Sequence, residues 1–161
     1  MGPSQVQAIR VPTCLNRDVT FGHAVGMETA GILLDTGILA GISSDLGERL
    51  KAVESRIHEE AGHPFNINSP RQLAQVLFTE MGLPAVKKTK TGYSTNDEVL
   101  LELSGKHHLP AMVRDYRSMA KLKSTYVDAL PTQVNPHTGR VHTSYNQAGT
   151  VTGRLSSSNP N

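Results

Sequence analysis

The chain has 161 residues, 37% hydrophobic and 4% aromatic, with a net charge of +2, one cysteine and no tryptophan. That suffices for one domain with a thin core of Leu, Val, Ile and Met, since globular chains usually reach ~45–50% apolar residues. No apolar run reaches the ~18 residues of a membrane-spanning helix, residues 1–10 lack the apolar centre of a signal peptide, and Cys14 alone makes neither an internal disulfide nor a zinc site; no membrane partner and a reducing, cytoplasmic compartment are expected.

Residues 1–26 mix Gly, Pro, Thr and Asn without a period, and poor order or an atypical segment is expected there. From 35 to 61 the apolar positions Ile38, Leu39, Ile42, Leu46, Leu50, Val53 and Ile57 recur at three- and four-residue steps and predict a long amphipathic helix. Gly37, Gly41 and Gly47 each cost it about 1 kcal/mol relative to Ala, so its first half depends on tertiary packing. Gly62 and Pro64 end it. Ser69 is positioned to cap the next helix, Pro70 suits its first turn, and Gly82 with Pro84 stops it. Leu73, Val76, Leu77 and Phe78 form its expected buried face. A loop over 86–94 then carries Lys87, Lys88 and Lys90.

Thr95-Asn96-Asp97-Glu98 reads as a capping box, with Thr95 as the cap of a third helix that ends near Gly105. A fourth helix is predicted from 109 or 110 to 128, with Met112, Val113, Tyr116, Met119, Ala120 and Val127 inside. Arg114, Arg117, Lys121 and Ser124 share another face, which is either a solvated surface or a contact surface. Beyond Pro131 the period shortens. Residues 132–135, a turn over 136–139 and residues 140–147 predict a β-hairpin, and 150–157 a further strand. So few strands cover a sheet poorly, so the chain reads as a piece of a larger fold. The expected class is α+β: a mostly helical part followed by an incomplete antiparallel β element.

Charge follows the same division. Residues 1–63 carry 5 basic and 8 acidic side chains, 64–102 carry 4 and 4, and 103–161 carry 7 and 2, with Asp128 the last acid. A basic, Ser/Thr/Asn-rich C-terminal part suits a polyanion partner. Nucleophile-elbow, phosphate-loop, dinucleotide and Cys-x-x-Cys signatures are absent. His58 and His63, and His107 and His108, have spacings that place no imidazole pair beside a carboxylate on one helix face, so no metal site is expected. His137 and His142 are expected on the surface. What remains is suited to phosphate: Asn66, Asn68 and Ser69 before a helix start, the lysine loop, and Lys121, Lys123, Ser124 and Thr125 at the end of the fourth helix. Together they fit sequence-independent contact with a nucleic-acid backbone.

Several segments match one family in order: Phe65-Asn66-Ile67-Asn68-Ser69-Pro70; Lys87-Lys88-Thr89-Lys90-Thr91-Gly92-Tyr93-Ser94-Thr95; Tyr116-Arg117; Lys121-Leu122-Lys123-Ser124-Thr125-Tyr126; Thr138-Gly139-Arg140-Val141-His142-Thr143; and Thr152-Gly153-Arg154-Leu155-Ser156-Ser157-Ser158. On these the stretch 61–161 resembles the thumb and the beginning of the palm of bacterial family A DNA polymerases, the DNA polymerase I type. Residues 27–50 resemble the first thumb helix. Residues 12–26 do not fit the family's entry into the thumb, and Asn159 stands where the family usually has aspartate.

The resemblance implies a helical thumb over 27–130 and a truncated palm start over 131–161, gripping a primer–template duplex. It implies that Arg154 reaches the minor groove at the primer terminus, where acceptors sit alike for every Watson–Crick pair, with Asn161 beside it. Lys121, Lys123, Ser124 and Thr125 would lie near the DNA backbone, Lys87, Lys88, Lys90 and Thr95 at the thumb tip, and Arg117 on the same basic helix. The family's chemistry resembles two-metal phosphoryl transfer, whose aspartates lie downstream of this stretch. No catalytic residue, metal or cofactor is therefore expected here; Mg2+ and a dNTP belong to the complete enzyme, and the chain alone is expected to incorporate no nucleotide. A monomer associated with the bacterial nucleoid is expected. The alternatives are a non-catalytic, sequence-independent DNA-binding module and a helical protein-interaction domain.

Overall fold

The computed structural model describes residues 13–85, 87–89, 92–146 and 155–160. In chain order the elements are α1 (Thr13–Ala30), β1 (Ile32–Leu33), α2 (Thr36–Ala61), α3 (Pro70–Ala74), β2 (Lys88–Thr89), β3 (Gly92–Tyr93), α4 (Asp97–Ser104), α5 (His108–Leu122), β4 (Arg140–Val141), β5 (Ser144–Asn146) and β6 (Ser156–Ser158). π-helical turns over Gln75–Glu80 and Lys123–Val127 extend α3 and α5, and a tight 3-10 turn spans Leu130–Gln133. The class is α+β, mostly helical with small antiparallel pairings, as the sequence pattern indicates. The chain divides into two compact units, residues 35–132 and residues 1–34 with 133–161.

In the first of these, α2 begins at Asp35, whose carboxylate accepts from the Ile38 amide at 3.0 Å, and ends at Gly62 with a φ of 80°. The α2 stripe is buried only in part. Leu46 and Ile57 are inside, whereas Ile38 and Ile42 near the start are exposed. Periodicity thus announced a face without deciding how far along it the covering extends. Ser69 caps α3 through the Gln72 amide at 3.5 Å with Pro70 in the first turn. The core packs Ile57, Ile67, Leu73, Leu77, Val99, Leu100, Leu103, Leu109, Met112 and Val113, with Phe65, Phe78 and Tyr116 around it. Burial of such side chains stabilises by roughly 1.5–3 kcal/mol each before entropy is counted.

The α4 cap lies one residue later than the capping-box reading puts it. Asn96, not Thr95, is the cap: its Oδ1 accepts from the Val99 amide at 3.2 Å, and Thr95 is buried. Asparagine caps at least as well as threonine, and burying Thr95 against α5 leaves its neighbour to do so.

The second unit departs further from expectation. Residues 13–26, read as poorly ordered, form most of α1. Its support is tertiary rather than periodic, as is usual for helices of weak intrinsic propensity. His142 Nδ1 donates to the Glu28 carbonyl at 2.7 Å, Arg140 Nη1 to the carbonyls of Ala30 and Gly31 at 3.4 and 3.3 Å, and the Tyr145 amide to Glu28 Oε1. The His142 and Arg140 bonds satisfy carbonyls at and just past the helix end that lack intrahelical donors. His142, expected on the surface, is thus half-buried, with Thr138 Oγ1 2.8 Å from its Nε2. The predicted turn over 136–139 forms, with the Asn135 amide donating to the Arg140 carbonyl at 2.9 Å, but its flanks do not pair as strands: β4 pairs antiparallel with β1 (Ile32 opposite Val141), and β5 with β6 (Tyr145 opposite Ser157). Residues 130–133 coil instead of extending. Gly31, with φ 62°, sits where an added Cβ would lie 2.9 Å from the Val141 carbonyl and 2.7 Å from the His142 ring, so β1 approaches β4 only because this residue has no side chain.

Candidate nucleic-acid interface

A groove of about 650 Å3 lies between the starts of α3 and α4. Its polar lining includes Asn68, Arg71, Gln75, Ser94, Asn96 and Arg117, and no Asp or Glu lines it. Its shape comes from local hydrogen bonding. The Asn66 side chain accepts from the Asn68 amide at 2.9 Å, the Gln72 side chain accepts from the Asn66 amide at 2.6 Å, and the Ser69 amide donates to the Asn66 carbonyl at 2.9 Å. The loop before α3 is therefore a closed turn whose amides are largely spent internally.

Arg117 joins this loop to the next. Half-buried, it donates from Nη1 to the Thr95 carbonyl at 2.7 Å and from Nη2 to the Ile67 carbonyl at 3.4 Å. Burial pulls its pKa below the ordinary arginine value, yet a guanidinium stays charged in proteins. Beside it, burial raises the Tyr116 pKa and nearby Glu54 adds to this, while a hydrogen bond with Asn68 partly offsets both. Arg114, on the same helix, is bound bidentately to Asp97 at 2.7 and 3.1 Å. Arg114 holds the Asp97 carboxyl below its usual range.

The hairpin β2–β3 carries Lys87 and Lys88, both exposed. Tyr93 packs against Phe78 with ring centroids 5.1 Å apart, and Lys88 Nζ lies 5.6 Å from the Tyr93 ring centre. At the far end of α5, Lys121 and Thr125 are exposed, Ser124 Oγ donates to the Ala120 carbonyl at 2.8 Å, and Lys123 is tied to Ser43 and Asp128.

Of the residues expected from sequence, the groove gathers Asn68, Thr95 and Arg117, with Ser69 between two of its lining residues; Asn66 shapes it from behind. Lys87, Lys88, Lys121, Lys123, Ser124 and Thr125 lie outside it. Lys90, Arg154 and Asn161 fall outside the described residues. Arg71, Ser94 and Asn96 were not singled out. Arg71 follows the capping pair Ser69-Pro70, and Asn96 occupies the second place of the capping box, so both carried a signal.

The fold is thus a helical α+β assembly whose groove has cationic and amide donors and no acid. The family model of DNA polymerase family A matches residues 36–161. The chain belongs to that family. It is 50% identical over 135 residues to DNA polymerase I of Bacillus subtilis (strain 168) and 51% identical over 140 residues to that of Geobacillus stearothermophilus, which covers 84% and 87% of this chain. It is 49% identical over 137 residues to the thermostable DNA polymerase I of Thermus aquaticus. The chain spans about 15% of the length of these curated relatives, 15%, 16% and 16% in turn. Among solved structures it is similar to the POL domain of Pol1 from M. smegmatis in complex with DNA primer-template and dNTP, with a TM-score of 0.78 and 38% identity, covering 86% of this chain and 24% of that one.

The family implies a divalent metal. The residues present here do not fit one: no acid follows Asp128, and among the described residues no group of three or more His, Cys, Asp or Glu could hold an ion. Among the described residues no helix is long and apolar enough to cross a membrane.

Proposed function

We propose that this chain is the duplex-gripping part of a family A DNA polymerase, a helical thumb over 27–130 followed by the start of the palm over 131–161. The observation that carries the reading is the acid-free groove lined by Asn68, Arg71, Ser94, Asn96 and Arg117, because such a lining favours a phosphate backbone without reading its sequence. Thr95 lines the groove as well, and Asn66 and Ser69 support it from the loop before α3. Lys87 and Lys88 of the hairpin, Lys90, and Lys121 with Thr125 of the α5 end extend the basic contact along the DNA. Arg154 and Asn161 serve at the minor groove of the primer terminus, where a donor tests pair geometry rather than sequence. Mg2+, the incoming dNTP and the bond-making carboxylates belong to the complete enzyme, which works as a monomer in the cytoplasm.

Two outcomes are expected of the 161-residue chain. Fluorescence anisotropy with labelled duplexes of unrelated sequence gives similar affinities that fall steeply with salt, and Arg71→Met reduces the slope of log K against log salt by about 0.9, one phosphate contact. Sequence-selective or salt-insensitive binding overturns the reading. A primer-extension assay with Mg2+ and all four dNTPs gives no product from the chain alone; extension would overturn the assignment of the chemistry to other parts of the polymerase.

A further inference from the structure

One lysine at the basic end of α5 is already committed. Lys123 Nζ donates to Ser43 Oγ at 2.7 Å, to Asp128 Oδ1 at 3.0 Å and to Asp128 Oδ2 at 2.7 Å. Of the ammonium's three N–H donors, these contacts engage one hydroxyl and one carboxylate. Ser43 Oγ in turn donates to Asp128 Oδ1 at 2.7 Å, which closes a three-membered ring of side chains. The lysine stem runs past Gly47 of α2, where an added Cβ would lie 3.6 Å from Cε, and its side chain is only 24% exposed. Asp128 also closes the π-helical turn over 123–127, its amide donating to the Lys123 carbonyl at 2.9 Å. The same residue therefore closes the turn through its backbone and fastens it to α2 through its side chain. Lys121, two residues earlier, is exposed and makes no ion pair among the described residues.

We propose that Lys123 is a positioning residue: with Ser43 and Asp128 it locks the π-helical turn onto α2 and so sets the direction in which Lys121 and Thr125 meet a phosphate backbone, giving the phosphates no donor of its own. The proposal rests on the duplex-grip reading above. It divides the Lys-x-Lys pair into two jobs that the sequence presents as one.

The test is duplex binding against salt for four variants of the 161-residue chain, with thermal melting of each. Lys121→Met lowers the slope by about 0.9, as the loss of one phosphate contact should. Lys123→Met and Asp128→Asn each weaken binding several-fold at every salt concentration. The double variant Lys123→Met/Asp128→Asn keeps the net charge of the parent, retains the parent slope, and binds no more weakly than either single change. Melting shifts of the two single changes are likewise non-additive. A slope reduced by about 0.9 in the double variant would show Lys123 to be a phosphate contact and overturn the proposal. So would tighter binding by Asp128→Asn, which would mean that a released Lys123 turns to the DNA, or additive melting shifts. If Lys123→Met does not fold, the direction of the Asp128→Asn effect decides alone. Salt-insensitive binding by the parent and by Lys121→Met alike would remove the duplex-grip reading, and the melting cycle would then decide the joint by itself.

Discussion

Arg117 illustrates how one cation can shape a site through backbone rather than ligand. Its two carbonyl partners belong to the loops that precede α3 and α4, so the guanidinium holds both helix starts in place at the groove. Hydrogen bonds to a charged group contribute roughly 1.5–3 kcal/mol where the partners are shielded from water. Arg117→Met should therefore destabilise the unit 35–132 by about 1–3 kcal/mol in urea denaturation, the range for leaving such acceptors unpaired. A change within experimental error would mean that both carbonyls are served by water. The charge pattern of α5 placed Arg114 and Arg117 on one face with Lys121, which was legible from spacing. That Arg114 would be spent on Asp97 and Arg117 on two carbonyls was not, because those partners lie 17, 22 and 50 residues away in sequence.

The helices were the most legible elements, and for a local reason: caps and stops act within one turn. Asp35, Gly62, Ser69, Pro70 and Gly82 each do at the observed boundary what their chemistry suggests. The one-residue shift at α4 arises where a local choice, Thr95 or Asn96, is settled by burial. Asn96→Ala is accordingly expected to lower the stability of the unit by about 1 kcal/mol, the usual cost of losing a cap, and Thr95→Ala to cost it less than one cap's worth. Denaturant midpoints for the two variants test this; equal losses would return the cap to Thr95. The π-helical turns had no signal, since the apolar spacing of 75–80 and 123–127 also fits an ordinary helix. Strands were the least legible. β4 finds its partner in β1 near the other end of the chain, and alternation in a two-residue strand carries too little information to name a partner.

At the scale of the molecule, ionisation sets a pH window. Asp97 is held low by Arg114, and Asp128 by Lys123 and then Ser43. Carboxyls depressed on folding contribute stability that is present above their unfolded value of about 3.9 and is lost as pH falls through their folded values. His63 is raised, first by its 2.7 Å hydrogen bond to Glu80 and then by the Pro64 carbonyl. Its contribution is present in full below the unfolded value of about 6.5 and is lost as pH rises through the folded one. Stability should thus be highest between these limits and decline on both sides. Urea midpoints measured across this range test it: His63→Gln should remove the decline on the alkaline side, and Asp97→Asn with Asp128→Asn should flatten the acid side. An unchanged profile in either variant would mean that these pairs do not form in solution.

By itself the sequence determined the helical class, most helix boundaries, the basic bias of the C-terminal part and membership of the polymerase family, because caps, periodicity and short ordered motifs are properties of neighbouring residues. Tertiary structure decided the rest. It made a helix of residues 13–30, paired β1 with β4 across the length of the chain, and sorted chemically alike cations into those that hold the protein and those left exposed. That sorting depends on which carbonyl or carboxylate folding brings within hydrogen-bonding distance, and no local pattern encodes it.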